Sequence, residues 1–471
     1  MSKIKDMKKK LFYDSENYWE KNSKTEHEKA LKFSDDYINY LNNAKTERET
    51  IKFVENELIN RNFTPLSKKD KKNKKFEISR NKNAAIAFIG KKPIADGVNL
   101  IVSHIDSPRV DLKQRPIYED SSLKIGIMRT HYYGGIKKYQ WLSTPLALHG
   151  VVLKKDGEKV DITIGEKEDE PVFVMPDLLP HLARKAQYSK KIGEAVAAGH
   201  MNVIFNSIPY PGKKEDKDRV KLNALHLLNK KYDITEKDLL SAELQFVPAG
   251  HARHSGLDKS MVLGYGQDDR ICAYTSLMAL FDLEEQPEKT SIVYLADKEE
   301  VGSDGNTGAK SNFIVDFLAE LLKYNNEKFD SYSLRKALRK TQILSADVNA
   351  AINPNYPNVH EKTNAVHIGF GVSLTKFTGA GGKGGTNDAN AEFMNKISGI
   401  FNEEDICWQI GELGKVDEGG GGTIAKFMAE HGAEVIDCGP GVLGMHSLYE
   451  LTSKADIYST YKAYNAFYKR G

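Results

Sequence analysis

Apolar residues recur at helical spacing through EKALKFSDDYINYLNNAKTERETIKFVENELIN, which predicts amphipathic helices over most of residues 1–80. The run LSKKDKKNKKFEISRNK reads as a solvated loop leading into a strand. At Ala84 the pattern changes. AAIAFIG and VNLIVSH are short runs rich in Ile and Val, bounded by Gly, Pro or charge, and they predict buried strands. From about residue 115 to 255, LALHGVVLKKDGEKVDITIGE and its turn KKDGEK predict hairpins, followed by a polar, lysine-rich stretch. This block reads as an inserted, largely antiparallel domain. From residue 261 the α/β rhythm resumes. DDRICAYTSLMALFDL and NFIVDFLAELLKY predict helices, TSIVYLADKEE and QILSADVNA strands ending in acid. AEVIDCGPGVLGMHS is strand-like, and ELTSKADIYSTYKAYNAFYKR is an amphipathic helix. Strands alternating with helices predict an α/β fold with a mainly parallel sheet and helices on both faces. The expected domains are 1–114 with 256–471, and an inserted β-rich domain at 115–255.

Composition narrows the function classes. A chain of 471 residues is long enough for two or three domains at about 150 residues each. Lys+Arg is 68 against 65 Asp+Glu, a net charge of +3, which gives no bulk attraction for nucleic acid. Cys272, Cys407 and Cys438 are scattered with no CxxC, which excludes a disulfide framework and fits a reducing compartment. The basic N-terminus lacks an apolar signal core, and no run of about 18 apolar residues occurs. The expected address is the cytoplasm, with neither a membrane nor a nucleic acid as partner.

The chemistry lies in acids and histidines just after predicted strands: His104 and Asp106, Asp268 and Asp269, Glu299 and Glu300, Asp347, and His446 in GMHS. In open α/β sheets, ligands bind at the carboxyl ends of the strands, so these clusters are aimed at one place. Imidazole and carboxylate ligands suit zinc, manganese or cobalt, and two such ions about 3.5–4 Å apart can share a carboxylate. Adjacent Glu299 and Glu300 can divide the work, one as general base and one as ligand. In an extended segment His104 and Asp106 point the same way, so Asp106 can support the imidazole from behind. Each cluster alone is common; their order and shared position make the case. GAGGKGGT and EGGGGT do not match a phosphate-binding loop and read as tight loops near the cleft, with Gly419–Gly422 and Thr423 opening a helical segment.

In this order, SHIDSPR, QDDRICAY, ADKEEVGS, SADVNAAINPNYP and GMHSLYELTSKAD resemble the motifs of the M18 metalloaminopeptidases, the aspartyl aminopeptidase family. The resemblance spans nearly the whole chain. It implies a zinc-peptidase-like catalytic domain with two divalent ions per subunit, zinc first and manganese or cobalt as alternatives. It gives the metals His104, Asp268 as the bridging carboxylate, Glu300, Asp347 and His446. Glu299 matches the general base and Asp106 the carboxylate that orients His104. Asp268 is chosen over Asp269 because the bridging acid in related motifs is followed by Asp or Asn. VMPDLLPHLARK resembles the segment whose histidine, here His181, reaches a neighbouring subunit's active site. GVSLTKFTGAGGKGG resembles the segment bearing a lysine at the base of the specificity pocket, here Lys376, although GAGGKGGTND departs from the family's usual sequence. A cationic wall suits an acidic substrate side chain. The implied substrates are short peptides with N-terminal Asp or Glu. The implied assembly is a tetrahedral dodecamer of dimers, with the insert as dimerisation domain. Three other readings stay open. An N-acyl-amino-acid deacylase on the same scaffold differs in not needing a free α-amine. A non-enzymatic assembly protein would hold no metal. A nucleic-acid binder would use the lysine runs.

Overall fold

The strand Asn99–His104 is buried at every position, as a parallel strand covered on both faces must be. A computed structural model describes residues 3–471. The strand lies inside a nine-stranded sheet ordered Thr64–Pro65, Lys74–Ser79, Asn83–Phe88, Ser291–Ala296, Asn99–His104, Gln342–Ser345, Glu434–Gly439, Val372–Thr375 and Trp408–Ile410. The four strands from Ser291–Ala296 to Glu434–Gly439 run parallel, flanked by antiparallel partners at Asn83–Phe88 and Val372–Thr375. Register explains the two cores. Ile292, Leu100, Ile343 and Val435 form one row and pack against Phe317 and Leu321 of the helix Phe313–Tyr324. Val293, Ile101, Leu344 and Ile436, one residue out of phase, form the opposite row and are equally buried. Each such side chain contributes about 1.5–3 kcal/mol of burial. The helices Gln267–Phe281 and Lys454–Arg470 lie against the sheet and each other. The mainly parallel α/β sheet with helices on both faces is thus the observed fold.

The chain divides into two compact units: residues up to Asp106 with Arg253–Met445 and Glu450–Gly471, and Ser107–Ala252 with His446–Tyr449. The second holds a six-stranded, wholly antiparallel sheet ordered Lys159–Ile164, Leu146–Leu153, Glu243–Pro248, Arg109–Asp120, Ile125–Tyr133 and Val203–Asn206. Its core gathers Val110, Met128, Trp141, Leu148 and Phe246. Residues 109–114 belong to this sheet, because Arg109–Asp120 is one continuous strand. The lysine-rich stretch near 220 is a helix, Arg219–Tyr232, burying Val220, Ala224 and Leu228 along one face. No described helix is long and apolar enough to cross a membrane.

One helix start matters for the site. Gly266 adopts a left-handed conformation, φ 66°, and Asp268 and Asp269 that follow have non-helical dihedrals, with a cis peptide between them. Arg270, 1% exposed, anchors this irregular turn. Its guanidinium donates to the carbonyls of Tyr265 at 3.3 Å and Gly266 at 3.2 Å, and to that of Lys45. Arg270→Met keeps apolar volume and strands these carbonyls in the core. The expected cost is about 2–4 kcal/mol, read as a lower urea midpoint with unchanged slope; an unshifted midpoint would contradict the anchoring role.

Candidate active site

Strand register assembles the site. Ala296 lies opposite His104, so the turn after Ala296 starts beside the imidazole, carrying Asp297, Glu299 and Glu300. Ser345 lies opposite Val102, so Asp347, two residues on, reaches the same level. Asp268 and Asp269 arrive from the irregular helix start.

His104 is at the centre. Its Nδ1 faces the Asp106 carbonyl at 3.1 Å and the Asp106 carboxylate at 3.3 Å. That partner orients the ring and turns Nε2 inward. Nε2 lies 3.1 Å from Asp268 Oδ1, 3.9 Å from Asp347 Oδ1 and 4.0 Å from Glu299 Oε2. The His104 backbone N–H donates to Asp269 Oδ2 at 3.3 Å. Asp106 is wholly buried, and it also holds the turn after Ala296. Its two carboxylate oxygens accept the backbone N–H groups of Glu299 at 3.1 Å and Glu300 at 3.2 Å. Lys298, at φ 66°, makes the tight turn that presents both amides.

These side chains form two groups whose potential ligand atoms lie within 4.8 Å of one another: His104, Asp268 and Glu300, and His104, Asp269 and Asp347. Imidazole nitrogen and carboxylate oxygen are zinc donors. The electrostatics fit as well. Burial, then the charge of Asp268, pushes Glu300 well above the usual carboxylate range. Burial and then Asp269 do the same to Asp347, and burial dominates for Asp269. Burial pulls His104 down, but the carboxylates of Asp106 and Asp268 more than reverse it, and the imidazole is raised. So many buried anions around one imidazole form a site that a divalent cation neutralises.

His446, φ 64°, belongs to the second unit, where its Nδ1 meets the Gly135 carbonyl at 3.0 Å. His181 is exposed on the single helical turn Pro180–Ala183 of that unit. Lys376 follows the strand Val372–Thr375, and its ammonium is bound to Asp388, which also takes Lys383 at 2.8 Å. The glycine-rich stretch is tied down by Gly421 N–H to the Thr378 carbonyl at 3.2 Å and by Thr423 Oγ1 to Asp437 at 2.7 Å. The sequence pattern offers Asp269 only as the alternative to Asp268, and it assigns no role to Asp297 or Glu450. Their signals were the doubled Asp, the acid that ends SIVYLAD, and the acid inside GMHSLYE.

The chain is similar to known proteins over nearly its whole length. The family model described as aminopeptidase I zinc metalloprotease (M18) matches residues 40–468. A probable M18 family aminopeptidase 1 of Borrelia garinii subsp. bavariensis is 47% identical over 460 residues, 96% of this chain and 99% of that one. The crystal structure of an M18 aminopeptidase from Thermotoga maritima superposes with a TM-score of 0.92 at 45% identity, covering 98% of this chain and all of that one. A more distant fold neighbour, at 22% identity and a TM-score of 0.75 over 93% of this chain and 97% of that one, is the mApe1 dodecamer of Saccharomyces cerevisiae.

The raised acids carry a pH signature. Asp297 is pushed up to about 7, by burial first and then by Glu47 and Asp106. Such an acid keeps a proton in the fold that the unfolded chain releases near pH 4. Its contribution is complete below that value and is lost as pH rises through about 7; raised His104 acts with the same sign. The chelator-treated protein should therefore show a lower urea midpoint at pH 8 than at pH 5, and zinc at pH 8 should restore it. A metal-free midpoint that rises with pH would contradict this assignment.

Proposed function

This chain belongs to the M18 family of zinc metalloproteases, and we propose that it removes N-terminal residues, aspartate and glutamate foremost, from short peptides, using two zinc ions per subunit. Membership makes it a metalloaminopeptidase, a peptide hydrolase. The observation that carries the finer reading is the crowding of Asp106, Asp268, Asp269, Glu299, Glu300 and Asp347 around the single imidazole of His104.

In this reading His104, Asp268, Glu300, Asp347 and His446 would hold the metals. Zinc bound there supplies Lewis acidity, polarising the scissile carbonyl and making water acidic enough to attack near neutral pH. Glu299 takes the proton of the attacking water on its carboxylate and returns it to the leaving amine. Its side chain keeps 18% of its surface open, which supports a role in proton transfer to solvent-borne groups. Asp106 orients the His104 ring and holds the backbone of Glu299 still. The free α-amino group of the peptide would bind at the metal centre and to the acids beside it, so an N-acylated analogue is a poor substrate.

Lys376 recognises the acidic side chain in competition with Asp388. His181 acts from a neighbouring copy in a homo-oligomer, a tetrahedral dodecamer built from dimers. Leu178, Leu179 and Leu182 beside it are 45%, 50% and 65% exposed, an apolar surface suited to a partner copy. The same reading places the enzyme in the cytoplasm, where its three buried cysteines stay as thiols.

A panel of Asp, Glu, Leu and Lys aminoacyl reporters, with chelator and with zinc restored, tests the assignment. The expected result is metal-dependent cleavage favouring Asp and Glu, with N-acetylated reporters left intact. Metal-dependent cleavage of Leu or Lys alone would remove the acidic preference. Glu299→Gln should keep its zinc and lose turnover by about 10²–10⁴-fold; near-normal turnover would refute its role. Lys376→Ala should lower kcat/KM for Glu reporters more than for Leu, and Asp388→Asn should raise it; equal effects on both would dismiss the pocket. A fully active monomer by light scattering would defeat the action of His181 across subunits.

A further inference from the structure

Glu450 opens the strand Glu450–Ser453, which pairs antiparallel with Met261–Gly264 so that Glu450 stands opposite Gly264. It is an acid buried to 1% exposure, and the proposed reaction does not use it. A buried carboxylate is costly unless its oxygens are satisfied. Oε2 accepts the backbone N–H of Asp268 at 3.0 Å. That N–H is one of the donors a helix start leaves without an internal partner. The backbone of Glu450 grips the adjacent residue as well, its carbonyl accepting from Gln267 Nε2 at 2.6 Å. Gln267 is in turn held by the Val262 carbonyl at 3.2 Å and by Tyr37 Oη at 3.4 Å. One residue therefore holds both the Gln267 side chain and the Asp268 amide. That amide belongs to the residue whose carboxylate lies 3.1 Å from His104 Nε2.

We infer that Glu450 is a positioning residue for the metal centre: through the Asp268 N–H it sets the direction in which the Asp268 carboxylate points. The inference rests on the reading of Asp268 as a metal ligand. Asp268 needs such help because the chain there is not helical, φ −78° and ψ 107°, so no regular ladder aims it. The action is one of reach: a hydrogen-bond acceptor must stand at the end of a glutamate-length side chain. Partners that orient a metal ligand are commonly worth 10–100-fold in metal affinity.

The test is zinc affinity of the full chain, by competition with a chromophoric chelator, beside circular dichroism and thermal midpoints. Asp268→Asn comes first: if it leaves zinc affinity unchanged, the ligand reading itself fails. With that loss in hand, Glu450→Ala should weaken zinc by about 10–100-fold while the chain stays folded. Glu450→Gln, whose amide oxygen accepts the same N–H, should recover most of the affinity. If the alanine variant does not fold, Glu450→Asp replaces it; its charge is kept but its reach is one methylene short, and it should also bind zinc more weakly. Wild-type zinc affinity in folded Glu450→Ala or Glu450→Asp would overturn the inference. Failure of Glu450→Gln to rescue would overturn it too, because charge rather than the hydrogen bond would then be at work.

Discussion

A single buried carboxylate ties the catalytic end of the sheet together. Asp106 has no exposed surface, and an ion so placed is tolerated only when its oxygens are met by donors. The donors include the imidazole of His104 and the amides of Glu299 and Glu300. Those bonds join the ends of two neighbouring parallel strands. They also set the orientation of His104, Glu299 and Glu300 at once, so the spacing of the site follows from one desolvated anion and the sheet register beneath it.

Around that junction the molecule accepts an arrangement that local rules disfavour. Acids are packed against acids in the least hydrated part of the fold, and the helix that delivers two of them begins out of shape. Such sites are where sequence-level consistency breaks down for function's sake. The surrounding structure compensates with rigid supports that have no role in chemistry themselves. Arg270 gathers the carbonyls of the turn, and hydrophobic rows on both sheet faces hold the strands in register.

Much of this was legible in the chain. The Ile- and Val-rich runs gave the central strands because burial on both faces leaves no room for polar alternation. The site residues were visible because SIVYLAD and QILSAD run into acids and VNLIVSH runs into His104. What sequence could not supply was register and pairing. Asp268 and Asp269 are neighbours in sequence, and only the folded turn shows that one faces Nε2 while the other takes the His104 amide. The bond between Lys376 and Asp388 closes a loop whose spacing carries no periodic signal. The helix Arg219–Tyr232 hid behind its lysines, its fully buried residues being Val220, Ala224 and Leu228, spaced four apart. The start of the long strand at Arg109 was obscured because SPRVDLKQ contains no turn signal where the first unit ends.

The second unit is written in two places, residues 107–252 and the four residues 446–449, with nearly two hundred residues of the first unit between them in sequence. Leu448 lies in its core and Tyr449 donates to the Ala249 carbonyl at 2.8 Å. In evolutionary terms the unit is therefore not a cassette. A recombination event carrying only 107–252 from one lineage to another would import a core missing Leu448 and leave His446 facing a foreign loop in place of Gly135. The two stretches share one core, so each constrains what the other can become.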